Sequence, residues 1–192
     1  MAPWIFSRFV LPRLHILREA EPGLTFDFLT VDRFVNLVEE QQDCAIRVGA
    51  LTDSSNLTRK LADNRRILCA APSYIKRHGV PQVLSDLAEH QAVCLPWQKD
   101  WGIGASMPRV SVTVSNSDIL TDAVTQGAGI AIKSILAVAS ELETGQLVEV
   151  LPECLRSTEA PISCLRPPKL KGSRKVDAFV TFASTCFHPL PT

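Results

Sequence analysis

Two spacings of apolar residues alternate along the whole chain, and this alternation restricts the fold more than any other feature. In segments such as 109–115 every second residue is apolar, which predicts a β-strand. In segments such as 116–127 apolar residues recur every three or four positions, which predicts an amphipathic helix. Alternating strands and helices are typical of α/β proteins. The sequence therefore predicts an α/β fold with mainly parallel strand pairing.

The same patterns predict the individual elements. Strands are expected at 24–31, 44–49, 65–72, 92–97, 109–115, 129–133, 147–152 and 161–167. Helices are expected at 5–20, 33–41, 72–79, 81–90, 116–127, 134–145 and 173–187. The segment 50–64 is expected to be a polar loop. The last helix should bury Val176, Phe179, Val180 and Ala183, and the second should align Phe34, Leu37 and Val38 on one face.

The charge balance argues against nucleic-acid binding by this chain. It has 20 Lys and Arg residues against 20 Asp and Glu residues, so its net charge is zero. Nucleic-acid binders usually carry a basic excess, because neutralising phosphates dominates their affinity. The one dense basic stretch, at 169–175, is interpreted as a solvated loop and first helical turn.

The cysteines and the N-terminus predict a cytoplasmic protein that does not enter a membrane. None of the six cysteines forms a C-x-x-C pair, and four lie in apolar strand-like runs, so free buried thiols are expected. The first 23 residues lack the pattern of a signal peptide. No stretch approaches the roughly 18 uninterrupted apolar residues that a membrane span needs.

Motifs for catalysis are also missing. His15, His78, His90 and His188 show no metal-binding spacing, and the G-x-S-x-G and P-loop patterns do not occur. The pair Gly102 and Gly104 is too short for a dinucleotide fingerprint. A Cys nucleophile paired with a distant His stays open as an alternative. We predict a protein that is not an enzyme, with no catalytic residues, metal or cofactor.

A series of segments resembles one protein family in order along the chain. These are the apolar strand with R-x-G at 43–49, D-S-S at 53–55, R-R-x-L-C-A-A-P-x-Y at 65–74, H-G-x-P at 78–81, the helix and glycine-bounded strand at 121–134, and G-x-L-V-x-V-L-P at 145–152. Together they resemble the regulatory half of LysR-type transcriptional regulators over about residues 2–190.

The resemblance implies the fold of type 2 periplasmic binding proteins, with two Rossmann-like α/β lobes around a cleft. Two crossover strands, near 66–71 and 161–166, would join them. Lobe one would comprise 1–68 plus 166–192, and lobe two 69–165. The family's N-terminal winged helix-turn-helix has no counterpart here. Ala2 to Phe6 resembles the turn after the family's first strand, so that strand of lobe one is expected to be missing.

The resemblance also implies a function. The chain would be a small-molecule effector-sensing domain that modulates transcription through effector-dependent rearrangement of lobes and subunits. A homodimer is expected through 5–20 and 117–127, and DNA would be bound only by an N-terminal domain absent from this chain. The alternatives are a stand-alone solute-binding protein of the same fold, which would need export, and an enzyme built on that fold.

Ligands of open α/β proteins bind at the carboxyl ends of strands, where helix N-termini offer unsatisfied N–H groups. This rule and the resemblance give the candidate effector contacts Trp4, Ile5, Thr30, Arg47, Gly49, Trp97, Trp101, Asn116 and Asp118.

Six of these candidates also have a structural interpretation. Arg47, in an apolar strand, would suit an effector carboxylate; the alternatives are an ion pair with an acid such as Asp43 or a place on the exposed face of the strand. Asn116 and Asp118 fit helix capping. The two tryptophans fit ordinary packing, and Thr30 fits a strand hydroxyl.

Overall fold

The computed structural model describes residues 1–33, 35–49, 55–98, 100–103, 107–155 and 160–187. These residues form two compact units. Unit one comprises 1–63 and 160–187, and unit two comprises 64–159. The expected lobe boundaries lay after 68 and 165, whereas the observed boundaries come earlier. They differ because strand 66–70 pairs entirely within unit two and strand 162–166 pairs entirely within unit one.

The described regular elements have the following bounds. The α-helices are α1 (Pro3–Ile5), α2 (Leu14–Ala20), α3 (Pro72–His78), α4 (Ser117–Thr125), α5 (Ala139–Glu143) and α6 (Arg174–Cys186). The strands are β1 (Ala45–Val48), β2 (Leu57–Ala62), β3 (Arg66–Ala70), β4 (Gln91–Cys94), β5 (Arg109–Thr113), β6 (Ala131–Ser134), β7 (Val148–Val150) and β8 (Ile162–Arg166). Short 3-10 helices occur at Leu11–Arg13, Leu84–Glu89, Ile135–Ala137 and Pro168–Leu170, and a π-helix at Phe6–Val10.

The sheet of unit one has the order β1-β8-β2, with both pairs antiparallel. Helix α6 belongs to the same unit and buries the face that the sequence predicts, which is Val176, Phe179, Val180 and Ala183. An aromatic contact extends this core, because the rings of Phe9 and Phe187 stack with centroids 4.9 Å apart.

Residues 3–20 form one continuous helical stretch, close to the predicted helix at 5–20. Its geometry changes around Pro12. Proline lacks the N–H of a regular helix and its ring crowds the carbonyl four residues earlier. The chain accordingly passes through the π-helical turn and then the 3-10 turn before α2 begins at Leu14.

In unit two, β3 is the central strand of a three-stranded antiparallel sheet with the order β6-β3-β7. Alternate residues of β3 enter different apolar clusters. Leu68 and Ala70 belong to one, and Ile67 and Cys69 to the other. Because successive strand side chains point to opposite faces, β3 is buried on both sides. Strands β4 and β5 pair in parallel, and a parallel bridge joins Ala92 to Ile130.

The prediction of mainly parallel sheets is wrong for the described residues, since four of the five strand pairs there are antiparallel. An alternating order of strands and helices does not specify which strands become neighbours. Strands β3 and β8 run opposite to the strands beside them, and no periodicity in the sequence records this.

Three local predictions also need correction. The segment 24–31 does not form a regular strand. Two backbone hydrogen bonds nevertheless connect it to Met1: the Met1 nitrogen donates to Leu29 O at 2.9 Å, and the Met1 carbonyl accepts from Val31 N at 2.9 Å. Residues 37–41 form turns and no helix, and Val38 is exposed, although Asn36 Oδ1 accepts from Val38 N at 3.1 Å as a helix cap does. An apolar spacing this short does not propagate a helix beyond the first turn. Phe34 lies outside the described residues. The expected loop 50–64 contains β2, which lies at a sheet edge and exposes its consecutive polar residues Thr58, Arg59 and Lys60.

Candidate functional site

A hydrogen-bonded polar group of unit two lies where α4 begins. Asn116 has an extended backbone and caps the helix, because its Oδ1 accepts from the backbone N–H groups of Asp118 at 2.8 Å and Ile119 at 3.1 Å. These are two of the donors that a helix leaves without an internal partner. The amide oxygen of Asn116 is therefore already used by the helix.

A buried lysine from the neighbouring strand completes this group. The Lys133 side chain of β6 is 5% exposed, and its Nζ donates to the Ser117 carbonyl at 2.6 Å and to the Ser117 Oγ at 2.7 Å. The hydroxyl of Thr121 donates to the same carbonyl at 3.1 Å. A buried ammonium is tolerated only when hydrogen bonds replace its water.

The charges around the N-terminus of α4 have opposing effects on the binding of an anion. A helix N-terminus carries a positive partial charge, and the Lys133 ammonium adds to it. The carboxylate of Asp118, in the first turn of α4, opposes both. A ligand oxygen at this helix end would find positive potential from Lys133 and the helix, reduced by Asp118.

In unit one, Arg47 projects from β1 and its Nη2 donates to the carbonyl of Val35. The carboxylate of Asp43, the acid that the sequence offered as its ion-pair partner, is bound by Lys175 Nζ at 2.8 Å. The Arg47 side chain is half-buried. Its guanidinium carries five donors in a planar fork.

Gly49 follows β1 and has a backbone φ of 109°, a value that favours glycine. Its N–H donates to the carbonyl of Pro161 at 3.0 Å, next to β8. Thr30 is half-buried and lies between Leu29 and Val31, the two residues that are hydrogen-bonded to Met1. Trp4 and Ile5 are buried, and Trp4 makes an edge contact with Phe9 at 6.0 Å.

The two tryptophans of unit two have different environments. Trp97 is 43% exposed, whereas Trp101 is buried in the apolar cluster that contains Leu87 and Ile130. Within the described residues, the Trp101 Nε1 is buried without a hydrogen-bond partner. This environment agrees with a packing role for Trp101.

The candidate contacts thus fall into two sets. Unit one holds Trp4, Ile5, Thr30, Arg47 and Gly49, and unit two holds Trp97, Trp101, Asn116 and Asp118. Sequence reasoning missed Lys133, although a signal was present. Arg47 became a candidate because it is a charged residue in an otherwise apolar strand. Lys133 occupies the same kind of position, since it ends the apolar strand predicted at 129–133.

Unit one also contains a cavity of about 360 Å³. Its lining combines the rings of Phe26, Phe28 and Phe179 with the Asp43–Lys175 ion pair. The thiol-bearing residue Cys44 also lines it. The contacts predicted from the sequence do not include any of these residues.

Two classes of feature are missing from the part of the chain that the structure describes. No three His, Cys, Asp or Glu side chains are grouped so that they could hold a metal ion. Nor does any helix there have the length and apolar character to cross a membrane. His188 and Gly104 lie outside the described residues.

Comparison with known proteins agrees with this fold. The family model for the LysR substrate binding domain matches residues 1–186. The chain belongs to this family of regulatory domains. Among curated relatives, the HTH-type transcriptional regulator DmlR of Escherichia coli is 34% identical over 188 residues, which cover 93% of this chain and 61% of DmlR. The uncharacterized HTH-type transcriptional regulator YhjC of the same organism is 31% identical, with 93% of this chain and 63% of that protein covered.

Solved structures show the same architecture. The CrgA regulatory domain, from a LysR-type transcriptional regulator of Neisseria meningitidis, superposes with a TM-score of 0.82 at 24% identity, covering 96% of this chain and 94% of that one. The fold is therefore that of the type 2 periplasmic binding proteins, as the resemblance implied. The chain spans less than two thirds of the length of the curated relatives DmlR and YhjC.

Proposed function

We propose that this chain is the effector-sensing domain of a LysR-type transcriptional regulator. Family membership over residues 1–186 is the observation that carries the proposal. The relatives DmlR and YhjC are named transcriptional regulators, so neither a stand-alone solute-binding protein nor an enzyme is favoured. With a net charge of zero, the chain has no basic excess for DNA binding. DNA contact would belong to the helix-turn-helix that the relatives' names record, and the intact regulator would act in the cytoplasm.

The effector would be a small molecule, and a carboxylate is the class that the charged groups favour. In unit one, Arg47 offers a guanidinium next to the strand end at Gly49, where a planar carboxylate can be bound bidentately. In unit two, the Lys133 ammonium and the N-terminus of α4 offer positive potential near Asn116. Trp4, Ile5, Thr30, Trp97, Trp101 and Asp118 stay in the proposed set of contacts.

A thermal-shift screen of aromatic and aliphatic carboxylates tests this proposal. A ligand at about one hundred times its Kd stabilises a protein by about 2.7 kcal/mol, which is about 5–10 °C for a chain of this size. Arg47→Ala should abolish the shift, while Arg109→Ala, which removes an exposed arginine of β5, should keep it. An unchanged shift in Arg47→Ala would rule out the arginine as an effector contact.

We also propose that the domain forms a homodimer through residues 5–20 and 117–127. Both segments expose apolar side chains that their own units do not cover. Leu11 and Ile16 are 51% and 50% exposed, and Ile119 of α4 is 53% exposed. Their burial against a second subunit would remove apolar surface from water, which favours association.

Charge complementarity supports the same pairing. The first segment carries Arg8, Arg13 and Arg18 against the single acid Glu19, whereas α4 carries Asp118 and Asp122. In a twofold dimer in which each segment contacts the other segment of the partner subunit, these opposite charges would meet twice. Effector binding would then alter transcription by changing this subunit packing, with a coupling of about 1–3 kcal/mol.

A further inference from the structure

The segment 24–30 of unit one has the side-chain pattern of a β-strand, yet it pairs with no assigned strand of the described residues. Thr25 and Asp27 are exposed, whereas Phe26 and Phe28 are partly buried. The two phenylalanine rings stack with centroids 6.2 Å apart, as side chains two residues apart on one strand face can. The segment therefore directs alternate side chains to opposite sides and lacks only the ladder that defines a strand.

Met1 shows how a neighbouring strand would pair with this segment. Its nitrogen donates to Leu29 O and its carbonyl accepts from Val31 N, both at 2.9 Å. One residue bonded to both neighbours of a partner residue, which is Thr30 in this case, is the hydrogen-bond pattern of a parallel ladder. A polypeptide that continued from the Met1 nitrogen would therefore run parallel to this segment, and the six residues before position 1 would lie beside 24–29.

The same register shows which backbone groups face that neighbouring position. Alternate residues of a strand direct their N–H and C=O groups to the same edge, so the edge that bonds Met1 carries those of Thr25, Asp27 and Leu29. Within the described ranges, only the Leu29 carbonyl of this set has a hydrogen-bond partner. The other backbone groups of the set form a row along one edge, without a partner in the part of the chain that the structure describes.

The cavity of about 360 Å³ in unit one lies at this edge. Its lining includes Met1 and two segments, 24–29 and 41–46. The strand β1 begins within the second segment, and it is an end strand of the order β1-β8-β2. One edge of β1 therefore also has no strand neighbour among the described residues. An inserted strand would thus lie between two segments that both have an open edge.

We propose that this cavity binds one further β-strand, formed by the polypeptide segment that directly precedes position 1 in an intact regulator. The strand would extend the parallel ladder that Met1 begins and would bond the row of backbone groups at 25, 27 and 29. The assignment rests on the proposed function, since it requires a protein longer than this chain. The curated relatives DmlR and YhjC are long enough for such a segment, because the matched parts cover 61% and 63% of them.

This strand would connect the sensing domain to the DNA-contacting part of the regulator. A strand that is hydrogen-bonded along its length moves together with the strands beside it, whereas a flexible tether does not. A rearrangement of unit one on effector binding would therefore reach the preceding chain through paired backbone.

The lining of the cavity defines the chemistry of the strand. Phe26 and Phe28 lie on the face that packs against α6, where the rings of Phe28 and Phe179 are 6.0 Å apart. Paired residues on neighbouring strands share a face, so the second, fourth and sixth residues before position 1 should be apolar. β-branched residues suit such a half-buried, pleated surface. The residues between them would lie on the side of Thr25 and Asp27, where polar side chains are tolerated.

A peptide strand fits this cavity better than a small molecule does, although the volume is within the range of about 300–1,000 Å³ that small ligands fill. A ligand with one or two polar atoms would leave most of the row of backbone groups without a partner, which is unfavourable in a half-buried position. The Met1 ammonium supports the same choice. Burial lowers its pKa, and a peptide N–H would donate the same hydrogen bond to Leu29 O without a charge.

Three N-terminal extensions of the chain, each of six residues, test the proposal. The first places valine at the second, fourth and sixth positions before position 1 and threonine between them. The second alternates glycine and serine. The third is the first with proline at the second and fourth positions, where the N–H groups would donate to Asp27 O and Thr25 O, and proline has no N–H to donate. We expect the valine–threonine chain to melt several degrees above both controls.

Amide hydrogen exchange, followed by NMR, tests the register. The valine–threonine extension should slow exchange at Thr25, Asp27 and Leu29 by at least about tenfold relative to both controls, and should leave Phe26 and Phe28, whose N–H groups face the other edge, unchanged. Equal melting temperatures and equal exchange in the three extended chains would overturn the proposal.

The unextended chain provides the second arm of the test. Slow exchange at the same three amides that appears only when this chain self-associates in sedimentation velocity would show that a second copy fills the cavity, and it would overturn the proposal as well. Neither arm uses an effector or DNA. A failed strand test therefore leaves the carboxylate screen informative, and a failed screen leaves the strand test informative.

Discussion

The ammonium of Lys133 lies 2.6 Å from the main-chain carbonyl oxygen of Ser117, in the first turn of α4. This contact joins β6 to the helix that carries half of the proposed subunit interface. Both groups are buried, so water cannot replace either one. The lysine therefore holds the first turn of α4 against β6.

Lys133→Met should lower the free energy of unfolding by about 1–3 kcal/mol, because the buried carbonyl and hydroxyl of Ser117 lose a donor. Urea denaturation followed by circular dichroism measures the change. Lys76→Met, an exposed position on α3, is the matched control and should change stability little. A Lys133→Met chain as stable as its control would show that the contact contributes nothing.

The cap of α4 can be tested separately. Asn116→Ala should cost about 1 kcal/mol, because the N–H groups of Asp118 and Ile119 lose their acceptor. Asn116→Ser should retain most of the stability, since serine also caps well. Equal destabilisation by alanine and serine in urea denaturation would argue that Asn116 acts through something other than its cap.

Stability should also depend on the protonation of His90. Burial and the positive potential of His78 lower the pKa of His90, although Asp86 and Glu89 oppose them, and its Nδ1 lies 3.2 Å from the Tyr74 hydroxyl. The folded state thus binds the proton more weakly than the unfolded state does, so acid favours unfolding. The contribution of neutral His90 is complete above its ordinary pKa of 6.5 and is lost progressively below it.

The measurement is the free energy of unfolding at pH 7.5 and pH 5.5. His90→Asn should reduce the loss of stability between these two values, whereas His15→Asn, at an exposed helical position, should leave it as in the unmodified chain. The same loss in His90→Asn and in the unmodified chain would assign the acid sensitivity to other groups.

The proposed dimer predicts that a charge placed on α4 weakens self-association of the chain. Ile119→Asp places a charge on the exposed apolar face of α4 and adds to the acidic residues there, so it should weaken self-association by at least about tenfold, or 1.4 kcal/mol. Val80→Asp alters a similarly exposed residue elsewhere in unit two and is the control. Sedimentation velocity measures the monomer–dimer equilibrium of both variants. If Ile119→Asp dimerised as the unmodified chain does, the interface would lie on another surface.

How far the sequence predicted this molecule depends on the range of the interactions involved. Helix α4 was predicted almost to the residue, because Asn116 and Gly127 mark its ends within the chain itself. The antiparallel β1–β8 pair was not predicted, since its partners are more than one hundred residues apart. The contact of Lys133 with Ser117 also joins two different elements, although these residues are only 16 positions apart in the chain. Local spacing in the sequence predicted candidate residues, but their hydrogen-bond and strand-pairing partners are visible only in the folded structure.

Gly129 lies at the point where β4 approaches the chain before β6. A Cβ added to Gly129 would lie 2.5 Å from the carbonyl oxygen of Gln91, the same oxygen that accepts from Ile130 N at 2.8 Å. That carbonyl is backbone and cannot move aside without breaking the parallel bridge between Ala92 and Ile130. Gly129→Ala should therefore destabilise the chain by about 1–3 kcal/mol, as overpacking does.

Gly23→Ala is the matched control, because a Cβ at Gly23 would meet no atom within 4 Å. That substitution should be neutral or slightly stabilising, since alanine restricts the unfolded chain more than glycine does. Thermal unfolding of both variants gives the comparison. If Gly129→Ala melted together with Gly23→Ala, the close approach of β4 would not be what requires a glycine at this position.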